Sequence, residues 1–488
     1  MDANNKPMPA GQVAVPVQQD HDNFFTKEGV DTTWIRSWDM VCSPVATHPH
    51  DTLTFNLPKL GQGNYYFMQD ARIKLHLRLL DLNGDPPPNE TPVGPCEDFA
   101  SAIFSDVKLF LNEAQSNGNS SSLYAYHSFF HSLLSYSKEK KQGVAALQGY
   151  MDQNEGDYKA NSNVTSAFEK RRELFGTFDD NSEFEFYDAA SQPTVVTAPL
   201  LTEFTSTSLP ILSNVGLRLE MLRSPWSFYM MIQPNLVEEL RTPAIADFVN
   251  KKYRLNVVKA QVIVPVKTMN PSLDLKVEHM LSKKPLEYRT VRLEMVKKPI
   301  AKGLNAYSTT QLKQEAVAPD RLYLAIIPDY NLAGTDGQNP FSFCSTVRQE
   351  YAKYRTTDRA QLEEVRLSIN NETLETYETN IMDDTLYRKY LELNEAMGHG
   401  SNGSNSSLSF SVKDYEEIFF VMGYDLTSAK NAALLGPDIR GVNKEGAMRL
   451  DLRWDVKLPA NCWLIVLSEY HSVVKIDKNR SVMCQYLA

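Results

Sequence analysis

The chain carries one unusual arrangement twice. Residues 106–112 (Asp106, Val107, Lys108, Leu109, Phe110, Leu111, Asn112) read as a short alternating strand, and a polar loop and an amphipathic helix over 122–136 follow it. Residues 364–370 (Glu364, Val365, Arg366, Leu367, Ser368, Ile369, Asn370) read as a second such strand, again followed by a polar stretch and a helical segment over 383–397. Each copy then gives way to a further alternating strand, 217–221 in one half and 450–454 in the other. Alternation with period two is the mark of a strand with one face in a core and one in water. A β-rich unit with one inserted helix, written in tandem, points to duplicated architecture. At 488 residues the chain is also too long for one ordinary core, and two domains of roughly 200 residues each are expected.

The rest of the chain supports that division. Residues 72–79 give the cleanest period-two run, with Ile73, Leu75, Leu77 and Leu79 on one face and Arg72, Lys74, His76 and Arg78 on the other. Proline at 86–88 ends it, because proline cannot continue a ladder. Further strands are expected at 53–57, 257–264, 273–277, 291–296, 418–422, 448–456 and 462–467. Residues 322–327 are apolar on both faces, as a strand between two layers should be. We expect a flexible N-terminal arm over 1–30, a first domain over 31–241 and a second over 242–488, with the link near Arg241 to Ala244. The polar, acidic stretch 143–204 is expected to project as a loop or interface element, and the low-complexity stretch 398–407 to be an exposed loop. The expected fold is all-β, of the sandwich or barrel kind, with one short helix in each unit and long surface loops.

Charge and cysteine usage bound the partners. A net charge of -10 disfavours coating of nucleic acid by phosphate neutralisation. Five scattered cysteines without a CxxC pair are expected to be reduced thiols. The sequence contains no run of apolar residues long enough to span a membrane, and its N-terminus lacks the pattern of a secretory signal, so secretion is not expected. The sequons at Asn119, Asn163 and Asn405 then read as polar loops.

A search for chemistry finds little. His48 and His50 are one residue apart, but nothing nearby supplies the remaining ligands of a zinc site. His127 and His131 have the helical spacing of a metalloprotease pair without the glutamate that would act as base, and read as packing or helix-surface histidines. Gly61 and Gly63 lack the third glycine of a dinucleotide fingerprint and read as a turn. Asp179 with Asp180 reads as solvated, and Asp383 with Asp384 as the acidic start of a helix. The basic clusters at 138–141, 170–172, 251–252 and 297–298 are short and separated, and read as solvated faces or subunit contacts. No catalytic, cofactor-binding or metal-binding residues are expected, and no enzymatic activity.

Several local motifs carry a family resemblance. Phe104 through Asn112, Tyr124-Ala125-Tyr126 and Leu133 through Tyr136 resemble a segment of the double jelly-roll major capsid proteins of Maverick/Polinton elements and adintoviruses (hexon-like). The resemblance continues through 170–175 and 217–219, then 327–330, 339–343 and 476–480, collinear over most of the chain beyond residue 30. It implies two tandem eight-stranded jelly rolls, a homotrimer forming a pseudo-hexagonal capsomer, and an icosahedral shell around a DNA genome. It further implies neighbouring capsomers, a single jelly-roll penton protein at the vertices and minor capsid proteins as partners. A virion location follows, with assembly in the nucleus or cytoplasm and no sequence-specific contact with nucleic acid. The aromatic segment 225–231 is then either a buried subunit contact or a cap on its own domain's core. The alternatives are a tandem β-sandwich that recognises carbohydrate or protein, and a two-domain β-rich hydrolase with a site assembled from distant residues.

Overall fold

The computed structural model describes residues 33–45, 52–81, 83–86, 93–116, 123–149, 171–172, 174–175, 193–232, 253–310, 312, 318–332, 339–348, 359–370, 372–378, 385–397, 408–427 and 446–486. The expected N-terminal arm, His48, His50, Asp179, Asp180, Asp383, Asp384 and the 251–252 and 398–407 stretches lie outside them.

Among the described residues eight strands frame the first unit: β1 (Trp34–Cys42), β2 (Leu53–Leu57), β3 (Arg72–Asp81), β4 (Phe104–Leu111), β5 (Ala114–Gln115), β6 (Thr194–Pro199), β7 (Leu217–Arg223) and β8 (Tyr253–Met269), and a short strand at Asn64–Tyr66 adds to β8. Eight frame the second: β9 (Leu286–Ile300), β10 (Ala306–Thr309), β11 (Arg321–Pro328), β12 (Arg359–Ile369), β13 (Glu372–Glu378), β14 (Val421–Asp425), β15 (Met448–Trp454) and β16 (Cys462–Ile476), with short strands at Thr346–Arg348 on β12 and Val482–Tyr486 on β16. The first unit's sheets run β1-β8-β3-β6 and β2-β7-β4-β5, and the second's run β9-β16-β11-β14 and β10-β15-β12-β13. Adding eight to each number of the first unit gives the second. All these pairings are antiparallel. Two sheets, each framed by four strands with the last returning beside the first, form a jelly roll, so the fold is a double jelly roll.

The duplicated motifs occupy equivalent places. The strand at 106–112 lies in β4 and the one at 364–370 in β12, while 217–221 lies in β7 and 450–454 in β15. The expected helices are α1 (Tyr124–Ser135) and α3 (Thr385–Ala396), each inserted between the fifth and sixth strands of its roll. Each roll's core is the alternate set of its strands. Ile73, Leu75 and Leu77 on β3 face Val262 and its neighbours on β8, and Leu322, Leu324 and Ile326 on β11 face Leu464, Val466 and Ser468 on β16.

Two expectations are corrected. Residues 273–277 form no strand; they lie in a helix, α2 (Pro271–Leu281). Pro271 takes the first helical turn, where its missing N–H costs nothing, and the Asn270 side chain accepts the Ser272 N–H at 3.1 Å. Leu273, Val277 and Leu281 then fall on one buried face at helical spacing. Within 143–204, the segment 194–199 is not loop; it forms β6, the edge strand beside β3. The strand β8 pairs with β1 and β3 of the first roll. A jelly roll closes by pairing its last strand with its first, so β8 belongs with the first roll's sheets and α2 stands between the two rolls.

The seam between the rolls and the candidate assembly faces

The two rolls meet along a seam built largely from α1. Its residues Tyr124, Tyr126, Phe129, Phe130, Leu133 and Leu134 are all buried, more than one stripe, because the helix packs on its own roll and on the second roll at once. Phe129 stacks on Phe341 at 4.4 Å between ring centroids with planes 8° apart, and Phe130 stacks on Phe343 at 5.2 Å and 2°. Phe228 of the aromatic segment meets Phe341 edge-on at 5.9 Å. Its neighbours Tyr229, Met230 and Met231 are buried in the first roll, and residues 230–232 pair with 93–95. That segment therefore caps its own roll and reaches the seam within the chain.

Polar groups fix the register of the seam. Asn339 of the second roll donates to the buried carboxylate of Glu97 at 3.3 Å. Beside it, the buried Asp98 accepts from Ser128 of α1 at 3.0 Å, and burial raises its pKa to about 7. Arg171, from the basic cluster at 170–172, is fully buried and donates through Nε to the carbonyl of Pro95 at 3.0 Å. It is thus not a solvated face.

A second set of contacts lies near the chain's end. The Arg480 guanidinium donates to the Ser213 carbonyl at 2.8 Å and pairs with Glu278 of α2, while its own carbonyl accepts from Asn112 Nδ2 at 2.8 Å. Tyr288 accepts the Leu212 N–H at 3.1 Å and donates to the Pro210 carbonyl at 3.0 Å. The motif at 476–480 is therefore a clasp between the rolls.

The two equivalent sheets meet different surroundings. In the second roll, Val291, Leu293, Tyr323 and Leu467 on the outer face of β9-β16-β11 lie against α1 and residues 201–206 of the first roll. That explains why 322–327 is apolar on both faces. In the first roll, the outer face of β1-β8-β3-β6 carries Arg72, Lys74, His76, Arg78, Arg254, Lys259 and Lys267, with Asp39 paired to Arg72 at 3.5 Å. Among the described residues this face is basic and its side chains are exposed or half-buried, although the whole chain is acidic.

The remaining expected residues have structural places. Gly61 accepts the Asn64 N–H at 3.2 Å in a turn, with Gly63 at a φ of 80°, which favours glycine. The cluster at 138–141 forms a short helix capped by Ser137, with Lys140 3.8 Å above the Tyr136 ring. Lys297 lies 4.0 Å above Trp463. His127 and His131 face the seam rather than the helix surface. Among the described residues no cluster of His, Cys, Asp or Glu has the arrangement of a metal site, and no helix is long and apolar enough to cross a membrane.

Twofold internal repetition of the jelly roll defines the class, and comparison with solved structures finds the same class. A chain of the Sputnik virophage superposes with a TM-score of 0.58 at 11% identity, covering 99% of this chain and 93% of that one. The Faustovirus major capsid protein gives 0.57 at 10% identity, covering 92% of each. A chain of the PBCV-1 virus capsid gives 0.51 at 10%, covering 95% of this chain and 100% of that one. No family model matches the chain, and no curated protein sequence matches it. The shared property is the fold over nearly the full length.

Proposed function

We propose that the chain is a major capsid protein, a structural subunit without catalysis whose trimers tile an icosahedral shell around a DNA genome. The observation that carries this reading is the seam. It joins unlike surfaces, the α1 side of one roll and the outer sheet face of the other, and a heterologous contact repeated between copies either closes into a ring or grows into a filament. The first roll's β1-β8-β3-β6 face is the equivalent of the face buried in the seam, and among the described residues its side chains are exposed or half-buried. A further chain seated there would extend the series, and three chains would close a ring of six rolls. The full-length likeness to the Faustovirus major capsid protein supports the same reading.

On this reading the chain divides into rolls at 33–269 and 286–486 with α2 between them. Its partners are two further copies, neighbouring capsomers, a penton protein at the vertices and minor capsid proteins, and its location is the virion. Absolute mass by light scattering after size exclusion tests it. A stable species of three chains is expected. A monomer that persists at micromolar concentration, with no shells by electron microscopy, would overturn the reading.

A further inference from the structure

The seam holds a half-open cavity of about 220 Å³ that the assembly reading leaves unused. One end is polar: His127 and His131 come from α1, and Arg321 pairs with Glu469 across β11 and β16 at 2.6 Å. The body is apolar, with Phe130 and Leu201 from the first roll and Leu293 and Leu467 from the second.

We propose that this cavity is a binding site for a small uncharged ring compound bearing one hydroxyl, of the alkylphenol class. Size is the first argument. An apolar cavity of about 150 Å³ is large enough for benzene, so this one takes a substituted ring of about ten non-hydrogen atoms. Charge is the second. Arg321 and Glu469 already neutralise each other, and an ionic ligand would enter the seam without a counter-charge. The third is hydrogen bonding. The half-buried imidazoles of His127 and His131 line the polar end of the cavity. A neutral imidazole nitrogen is a donor or an acceptor according to tautomer, and a hydroxyl satisfies either. Aromatic walls at Phe130 and Tyr323 and the adaptable thioether of Met397 suit a ring. Because the walls come from both rolls, an occupant would bridge them and stabilise the folded chain.

Calorimetric titration and thermal unfolding of the full chain with para-ethylphenol, ethylbenzene and para-ethylbenzoate test the proposal. Para-ethylphenol is expected to bind and raise Tm, ethylbenzene to bind about tenfold more weakly, and the benzoate not to bind. Leu201→Trp should fill the cavity and abolish the response. Val291→Phe serves as a second filling variant should the first not fold. His131→Leu should remove the preference for the hydroxyl while leaving ethylbenzene binding in place. Absence of any response from the native chain, a response retained in a folded filling variant, or equal binding of the benzoate would each overturn it. None of these outcomes depends on trimer formation, so the site stands or falls apart from the capsid reading.

Discussion

Asn112 and Asn370 hold the same corner of the two rolls by the same pair of hydrogen bonds. The Asn112 N–H donates to the Gly216 carbonyl at 2.9 Å, and its Oδ1 accepts the Gly216 N–H at 2.9 Å. Asn370 repeats this with Ala447, at 3.0 Å and 3.1 Å. Both sit at positive φ, 45° and 52°, where asparagine is tolerated better than other side chains. Asn112 also donates across the rolls, to the Arg480 carbonyl. Asn112→Ala is therefore expected to cost about 2–3 kcal/mol in chemical denaturation. A loss below about 1 kcal/mol would mean that the bond to Arg480 contributes nothing.

The stacked pair Phe129 and Phe341 should behave as one unit. Both side chains are fully buried, one from each roll. Either alanine substitution is expected to cost about 3–5 kcal/mol. The double variant should lose less than the sum, with a coupling of about 0.5–1.5 kcal/mol. Additive losses in the double-mutant cycle would show that the rolls do not exchange ring contacts there.

Acid should weaken the seam through its histidines. Burial lowers the pKa of His127 to about 3 and of His131 to about 4. An unfolded histidine titrates near 6.5, so below that pH the unfolded chain takes up the proton first and stability falls as pH drops towards 4. Asp98 works the other way. With its folded pKa raised to about 7, the folded chain takes up that proton first, and stability rises as pH falls from 7 towards the ordinary carboxylate range. Two groups against one leave a net loss of about 1.4 kcal/mol per pH unit between 6.5 and 4. His131→Gln should flatten the slope by that amount and Asp98→Asn should steepen it. Denaturation midpoints across this window measure both, and an unchanged slope in His131→Gln would show that His131 is already protonated in the folded chain.

What the sequence disclosed was whatever local alternation encodes. Arg72 to Leu79 announced a sheet with one charged face, and Leu322 to Ile327 announced a sheet covered on both sides; these are the two equivalent sheets of the two rolls. The helix α2 was hidden because Leu273, Leu275 and Val277 also alternate with period two, while the cap at Asn270 and Pro271 settles the conformation. The strand β6 was hidden by its short, partly polar pattern at a sheet edge. The membership of β8 was not legible at all, since strands alternate alike in either roll and only pairing with β1 decides. The seam cavity draws on residues from 127 to 469, a juxtaposition that no local pattern carries.

Tyr65 and Asp274 anchor α2 to the first roll. The Tyr65 hydroxyl donates to Asp274 Oδ1 at 2.5 Å, and both residues are buried. Burial, and then the carboxylate itself, raise the tyrosine pKa, so the phenol remains a donor throughout the ordinary pH range. Tyr65→Phe removes the donor and leaves a buried carboxylate without it, at an expected cost of about 1.5–3 kcal/mol. Adding Asp274→Leu removes the stranded charge as well, and the double variant should recover most of that loss, because the penalty lies in the unpaired acceptor rather than in the missing bond. The same helix carries Glu278, the partner of Arg480 in the second roll. Loss of the Tyr65 anchor should therefore raise hydrogen exchange in α2 and at the clasp around Arg480, while the β11 and β16 core stays protected. Exchange that rises uniformly through both rolls would instead mean that α2 is not a separate joint between them.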